Sequence, residues 1–288
     1  MKFDREEGPG KVFTATVDQS QIGFISQLSV NLGLIGGGPG PEELIAGDAQ
    51  AGFFGEVESN EFITGEQLCN ELGITQGRLQ YSDTEWLKFA SKGETIFVAK
   101  KPIRNDISWD HIYEQGAVYG DGLIAGESGA EHHNPPGTAI RQDATVEIDG
   151  NTYKVRLLRG AADDPTDSHD DPDRGSIGTL DGNYNSSESE NEWNNLFLPI
   201  HENATDDSWA HPEYVPDNVP DWNVGYSDAD LITHRDRGYG SYAWCQETRD
   251  TDESRRVYRG YYGVSALLTG ASSSTSSNRG FRPALVLI

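Results

Sequence analysis

Cysteine, lysine and long apolar runs are what this chain has little of, and each shortage excludes something. Two cysteines, Cys69 and Cys245, stand far apart in 288 residues, with no Cys-x-x-Cys. A disulfide scaffold and a thiolate zinc site are thereby excluded. One bridge between them stays open, with two separate buried thiols the expected arrangement. No run of about eighteen apolar residues occurs, so no helical membrane span is expected. Residues 1–7 are charged and carry no apolar stretch, so no cleaved export signal is expected. The histidines include the neighbours His132 and His133 but no His-x-x-x-His, and Gly-x-Ser-x-Gly is absent. Zinc hydrolysis and a serine-hydrolase elbow are left without support.

Positive charge is the other shortage. Seven lysines and fifteen arginines face 47 acidic residues, for a net charge of −25. Phosphate binding needs a positive face, so nucleic acid is not an expected partner. Excess acid favours solubility, and it also suits molar salt. There the Debye length contracts to about 3 Å and self-repulsion is screened.

In chain order, residues 1–50 read as an N-terminal docking or oligomerisation arm. A strand is expected at 13–17, and Gly36-Gly37-Gly38-Pro39-Gly40-Pro41 is expected as a linker. That glycine run lacks the Gly-Lys-Ser/Thr ending of a phosphate loop. From residue 51 the pattern becomes regular. Thr64 with Gln67 three residues on, and Gly73 beyond, predict a capped helix with Cys69 inside it. Ser108 and Gly116 bound a second helix, and 192–197 a third short one. Residues 86–90 and 95–99 predict a hairpin around 91–94. Residues 145–148 and 151–158 predict another around Asp149-Gly150, a type I′ signal. The polar segments 121–142, 161–190 and 203–222 read as insertion loops. The expected fold class is α+β, with short strands, two or three short helices and long loops.

The last fifty residues organise the rest. Tyr239–Cys245 is an aromatic strand, in which alternation places Tyr242 and Trp244 on one face and Ala243 and Cys245 on the other. The final strand is apolar on both faces, which predicts a central position. Regular pairing should begin at Ala284, after a lead-in from Gly280 to Pro283 in which Arg282 finds a buried polar partner.

Arg256-Val257-Tyr258-Arg259-Gly260, a variable loop, then Gly280-Phe281-Arg282-Pro283 and an apolar strand resemble the C-terminal signature of the C-type-lectin-like fold. The branch it resembles is that of formylglycine-generating-type proteins and receptor-binding proteins of tailed viruses. Ala51–Gly55, Trp86–Ala90, Ile96–Arg104, Tyr153–Gly160 and Trp193–Leu196 are similar to virion structural proteins of tailed viruses. The resemblance spans roughly residues 51–288 and implies a lectin-like domain there. It further implies a non-enzymatic, oligomeric virion surface protein, either a head turret or decoration or a tail fibre or adhesin. Such a protein docks on other virion proteins through its arm and contacts a host-surface glycan or glycoprotein. With the acidity, it implies a virus of a salt-loving archaeon, the protein being made in the host cytoplasm. Formylglycine-generating enzymes use a cysteine pair in this region. Only Cys245 is present here, so that activity is not carried over.

The expected recognition surface comprises Tyr239, Tyr258, Tyr261, Tyr262 and the loop residues Ser272, Ser274, Thr275 and Asn278. Tyrosine gives rigid contact area with a polar tip. Trp244 and Phe281 are expected in the core. The aspartates at 163–173 form a solvated loop or, through Asp167, Asp170, Asp171 and Asp173, a Ca²⁺ site; the spacing is not that of an EF-hand. No other cofactor is expected. Two rival readings stay open: a glycan-degrading virion enzyme with a carboxylate pair, and a purely architectural capsid or tail component.

Overall fold

A computed structural model describes residues 2–5, 13–16, 35–130, 132–133, 135–161, 163–166, 192–202, 220–232, 242–260, 264 and 267–288. The chain is mixed α+β, built mostly of antiparallel sheet with few helices. Strands β1 (Lys2–Arg5) and β2 (Phe13–Thr16) pair as an antiparallel hairpin.

One sheet has seven strands. In spatial order they are β3 (Ala46–Gly47), β4 (Ala51–Val57), β6 (Trp86–Ser91), β7 (Glu94–Ala99), β15 (Ala284–Leu287), β10 (Asn151–Arg156) and β9 (Thr145–Ile148). The other has six: β13 (Leu267–Ala271), β12 (Asp252–Arg259), β11 (Tyr242–Arg249), β14 (Arg279–Phe281), β8 (Arg104–Asn105) and β5 (Arg78–Leu79). Among the described strands, β11 and β14 are the one pair that runs parallel.

Local sequence explains most elements. The Thr64 hydroxyl accepts from the Gln67 N–H, and the Gln67 side chain answers the Thr64 N–H, a capping box that starts helix α1 (Gly65–Glu71). Gly73 follows at φ +68°, the left-handed stop. Ser108 caps α2 (Trp109–Glu114) through the His111 N–H. Asp149 and Gly150 sit at φ +50° and +79° between β9 and β10, as a type I′ turn requires. A third short helix, α3 (Glu192–Phe197), lies where it was expected.

The terminal strand is central, between β7 and β10. Leu285 enters one apolar core with Phe97, Trp109 and Trp244, while Ala284 and Val286 enter a second with Trp193, Phe197 and Cys245. Strand β11 is split the same way: Tyr242 and Trp244 face the first core, Ala243 and Cys245 the second. Both cysteines are buried free thiols, so no bridge joins them. Arg282, 1% exposed, donates to the Ala99 carbonyl at 2.9 Å and to the carbonyls of Lys100 and Leu231.

The arm boundary at residue 50 needs correction. The Gly36 N–H donates to Thr95 Oγ1, and buried Lys88 donates to the carbonyls of Gly36 and Pro39, all at 2.9 Å. Gly38, at φ +79°, lies so close to Phe97 and Tyr153 that a Cβ would sit 3.0 Å from each. Ala46 and Gly47 then pair with Phe53 and Gly52. The glycines therefore let the backbone press onto the sheet rather than swing free, and residues 35–50 belong to the folded unit.

Candidate functional site

The residues joining β5 to β6, residues 79–85, form one wall of a cleft of about 560 Å³; Lys100, Lys101 and Asp230 complete it. The wall is pinned by its backbone. Gln80 N–H donates to Ile103 O at 2.9 Å, Thr84 N–H to Tyr81 O at 3.0 Å, and Ser82 O accepts from Gly65 N–H at 2.6 Å. The Lys100 N–H donates to Glu85 O at 2.9 Å, so the lysine pair is fixed to the same wall. Asp230 comes from the short helix α4 (Asp228–Leu231).

This turn displays apolar surface. Leu79 is 40% and Tyr81 37% exposed, two of only four large hydrophobic side chains so exposed among the described residues. Tyr81 is held at φ +46°, an uncommon conformation for a bulky residue and one that recurs at ligand sites. The Lys101 ammonium lies 5.1 Å from the Tyr81 ring centroid. Such a contact is worth about 0.5–1 kcal/mol at an exposed site.

Charge in the cleft is mixed. Lys100 Nζ pairs with Glu56 at 2.6 Å, lies 3.9 Å from Glu85 and sits 5.0 Å over the Tyr226 ring. Asp230 accepts from the Ser227 hydroxyl at 2.6 Å and the Ser227 N–H at 2.9 Å, which hold its carboxyl below its usual range. Lys101 is pulled below its ordinary value, first by burial and then by the charges of Lys100 and Arg282, against Asp230 and Glu85. Burial also draws Arg282 down to about 9.

Of the recognition residues expected from sequence, two of those described, Tyr258 and Ser272, are buried rather than displayed. Tyr258 is a core residue: its ring stacks on Tyr242 at 5.2 Å and meets Trp244 edge-on at 5.6 Å. Register explains this, since Trp244 lies directly opposite Tyr258 and both turn inward. Ser272 is also buried, its N–H donating to Ser254 O at 2.8 Å. Ser274 and Asn278 are half-buried and Thr275 is exposed. Asn278 Nδ2 donates to the Tyr242 hydroxyl at 3.2 Å, which ties that loop down. Trp244 and Phe281 are in the core, as expected.

Tyr239, Tyr261 and Tyr262 lie outside the described residues, as do Asp167, Asp170, Asp171 and Asp173. Among the described residues no three His, Cys, Asp or Glu side chains are grouped to hold a metal ion. Sequence reasoning assigns nothing to residues 78–85. The one signal there is Leu79 and Tyr81 alternating with polar residues in a segment too short to bury them.

A second polar cluster lies inside. Glu247, wholly buried on β11, accepts from the Gly160 N–H through both carboxylate oxygens at 3.1 and 3.0 Å. Burial, reinforced by the charge of Asp164, pushes its carboxyl up to about 8. Asp164 accepts from the Thr248 N–H at 2.7 Å and is raised by burial to about 6. Nearby, His132 Nε2 meets Asp121 Oδ2 at 2.8 Å and the imidazole stacks on Tyr119 at 4.2 Å.

No helix among the described residues is long and apolar enough to cross a membrane. No protein-family model, curated protein or solved structure matches this chain.

Proposed function

We propose that this chain is a non-enzymatic structural protein of a tailed-virus virion, displayed on the particle surface. On this reading residues 35–288 carry a C-type-lectin-like domain that contacts a host-surface glycan. The observation that carries the glycan contact is the cleft at Tyr81. An exposed aromatic and an exposed leucine stand beside carboxylates and ammonium groups, the mixture of apolar platform and hydrogen-bonding side chains that a sugar ring requires. Residues before 35 dock on other virion proteins in a symmetric oligomer. The acidic surface suits a host living at high salt.

Attachment of purified protein to host envelopes tests this. Tyr81→Ala should weaken attachment severalfold while moving the melting temperature by only a few degrees, since the ring's cation contact is worth about 0.5–1 kcal/mol. Wild-type protein that fails to attach to any envelope or glycan tried would end the recognition reading.

One observation favours a glycan-degrading enzyme as the second reading: the buried Glu247 carboxyl is raised to about 8 under the charge of Asp164, as the acid member of a carboxylate pair requires. Glu247 has no exposed surface and both its oxygens accept from a backbone N–H, the arrangement of a structural carboxylate. Release of reducing sugar from envelope material by wild-type protein, lost in Glu247→Gln, would reverse the order of the two readings.

A further inference from the structure

Resting on the glycan reading above, we infer that the Tyr81 cleft takes an acidic saccharide, its carboxylate or sulfate received by the Lys101 ammonium and its ring packed beside Tyr81 and Leu79. The argument turns on which charges in the cleft are already engaged. Lys100 is paired by Glu56 at 2.6 Å, with Glu85 at 3.9 Å. Asp230 is committed to the cap of α4 through the N–H and hydroxyl of Ser227. One oxygen of Asp83 accepts the Ser82 hydroxyl at 2.5 Å.

Lys101 differs. Among the described residues no carboxylate oxygen lies within 4.0 Å of its ammonium, whose neighbour is instead the Tyr81 ring. A cation resting on an aromatic face can lean toward an incoming anion, because a charge-assisted hydrogen bond is stronger than the ring contact it replaces.

The protein interior behind the cleft adds to the attraction. Arg282 is fully buried and, among the described residues, donates to the main-chain carbonyls of Ala99, Lys100 and Leu231 alone, its Nη1 finding no hydrogen-bond partner there. No carboxylate pairs with it among the described residues, and its charge acts on Lys101 together with that of Lys100, against the opposing charges of Asp230 and Glu85. An anion at Lys101 would meet that ammonium directly and the Arg282 charge at longer range, with Asp230 and Glu85 opposing. The remaining oxygens of Asp83 and Glu85 are placed to accept sugar hydroxyls, which a saccharide offers and an inorganic anion does not. Repulsion from the net charge of −25 acts at long range and is screened at molar salt, whereas a contact pair is screened less.

Calorimetric titration of the full chain in molar potassium chloride tests the inference. The probes are a hexuronate hexasaccharide, its carboxyl-reduced neutral analogue, and a sulfated hexasaccharide of the same backbone. One or both acidic probes should bind about tenfold or more tightly than the neutral one; which of them does so identifies the anionic group. Lys101→Gln should abolish the preference, Lys101→Arg should keep it, and Tyr81→Ala should weaken all sugar binding, each variant retaining the wild-type circular dichroism. If neutral and acidic probes bind alike, or Lys101→Gln leaves the preference intact, the acidic ligand is wrong while glycan recognition stands. If no probe binds, the glycan reading falls and takes this inference with it.

Discussion

Arg156 on β10 and Glu192 at the start of α3 form a two-pronged ion pair, Nη1 to Oε2 at 2.7 Å and Nη2 to Oε1 at 2.5 Å. Glu192 also accepts from the Arg159 N–H at 3.1 Å, so one carboxylate joins the seven-stranded sheet, its following loop and the helix. Burial alone would raise the Glu192 carboxyl; the charge and hydrogen bonds of Arg156 outweigh it and hold the group below its ordinary value. Breaking such a buried pair from one side leaves an uncompensated charge, at about 3–5 kcal/mol. Glu192→Gln should lose stability on that scale in urea unfolding at pH 7, while a double replacement by apolar residues of similar volume should lose much less. Because the folded carboxyl is depressed, its stabilisation is complete above the ordinary carboxyl range and fades as pH falls through the folded value.

Glu247 has the opposite pH signature. Its folded carboxyl stands at about 8 against an ordinary 4.5. The folded state therefore binds its proton more tightly than the unfolded chain does. Its favourable contribution is complete below pH 4.5 and is lost as pH rises to about 8. Glu247→Gln keeps an oxygen for the Gly160 N–H and removes the titration. Between pH 5 and pH 8 the variant should lose less stability than wild type, by an amount on the order of a few kcal/mol. Parallel pH profiles for the two proteins would show that Glu247 titrates normally.

The terminal strand should be indispensable. Deleting residues 284–288 removes Leu285, Val286 and Leu287 from between β7 and β10 and opens both cores. At about 1.5–3 kcal/mol for each large side chain, the loss rivals the whole stability of a domain. The truncated chain should be insoluble or unfolded; a monodisperse peak in gel filtration with native circular dichroism would contradict this.

Salt should stabilise the fold. A net charge of −25 repels itself in dilute buffer, and molar potassium chloride screens that repulsion. The melting temperature should rise between the two conditions. An unchanged melting curve would remove the argument for adaptation to high salt.

What the sequence determined by itself was what short-range chemistry dictates. The Thr64–Gln67 cap, the Asp149–Gly150 turn and the alternation of Tyr242, Ala243, Trp244 and Cys245 each depend on residues a few positions apart. The two-faced pattern around Leu285 also placed the last strand in the middle of its sheet, because only a strand covered on both sides is apolar on both.

Tertiary structure alone decided the rest, through contacts between distant residues. Lys88 reaches Gly36 across 52 positions and turns an apparent linker into part of the fold. The register of β11 against β12 sends Tyr258 into the core, which no count of tyrosines reveals. The cleft exists only because the turn after β5, the lysines after β7 and Asp230 of α4 converge from three separate parts of the chain. A sequence specifies which residues prefer to be covered; which partners cover them, and which are left outside, depends on the way the two sheets close over both cores.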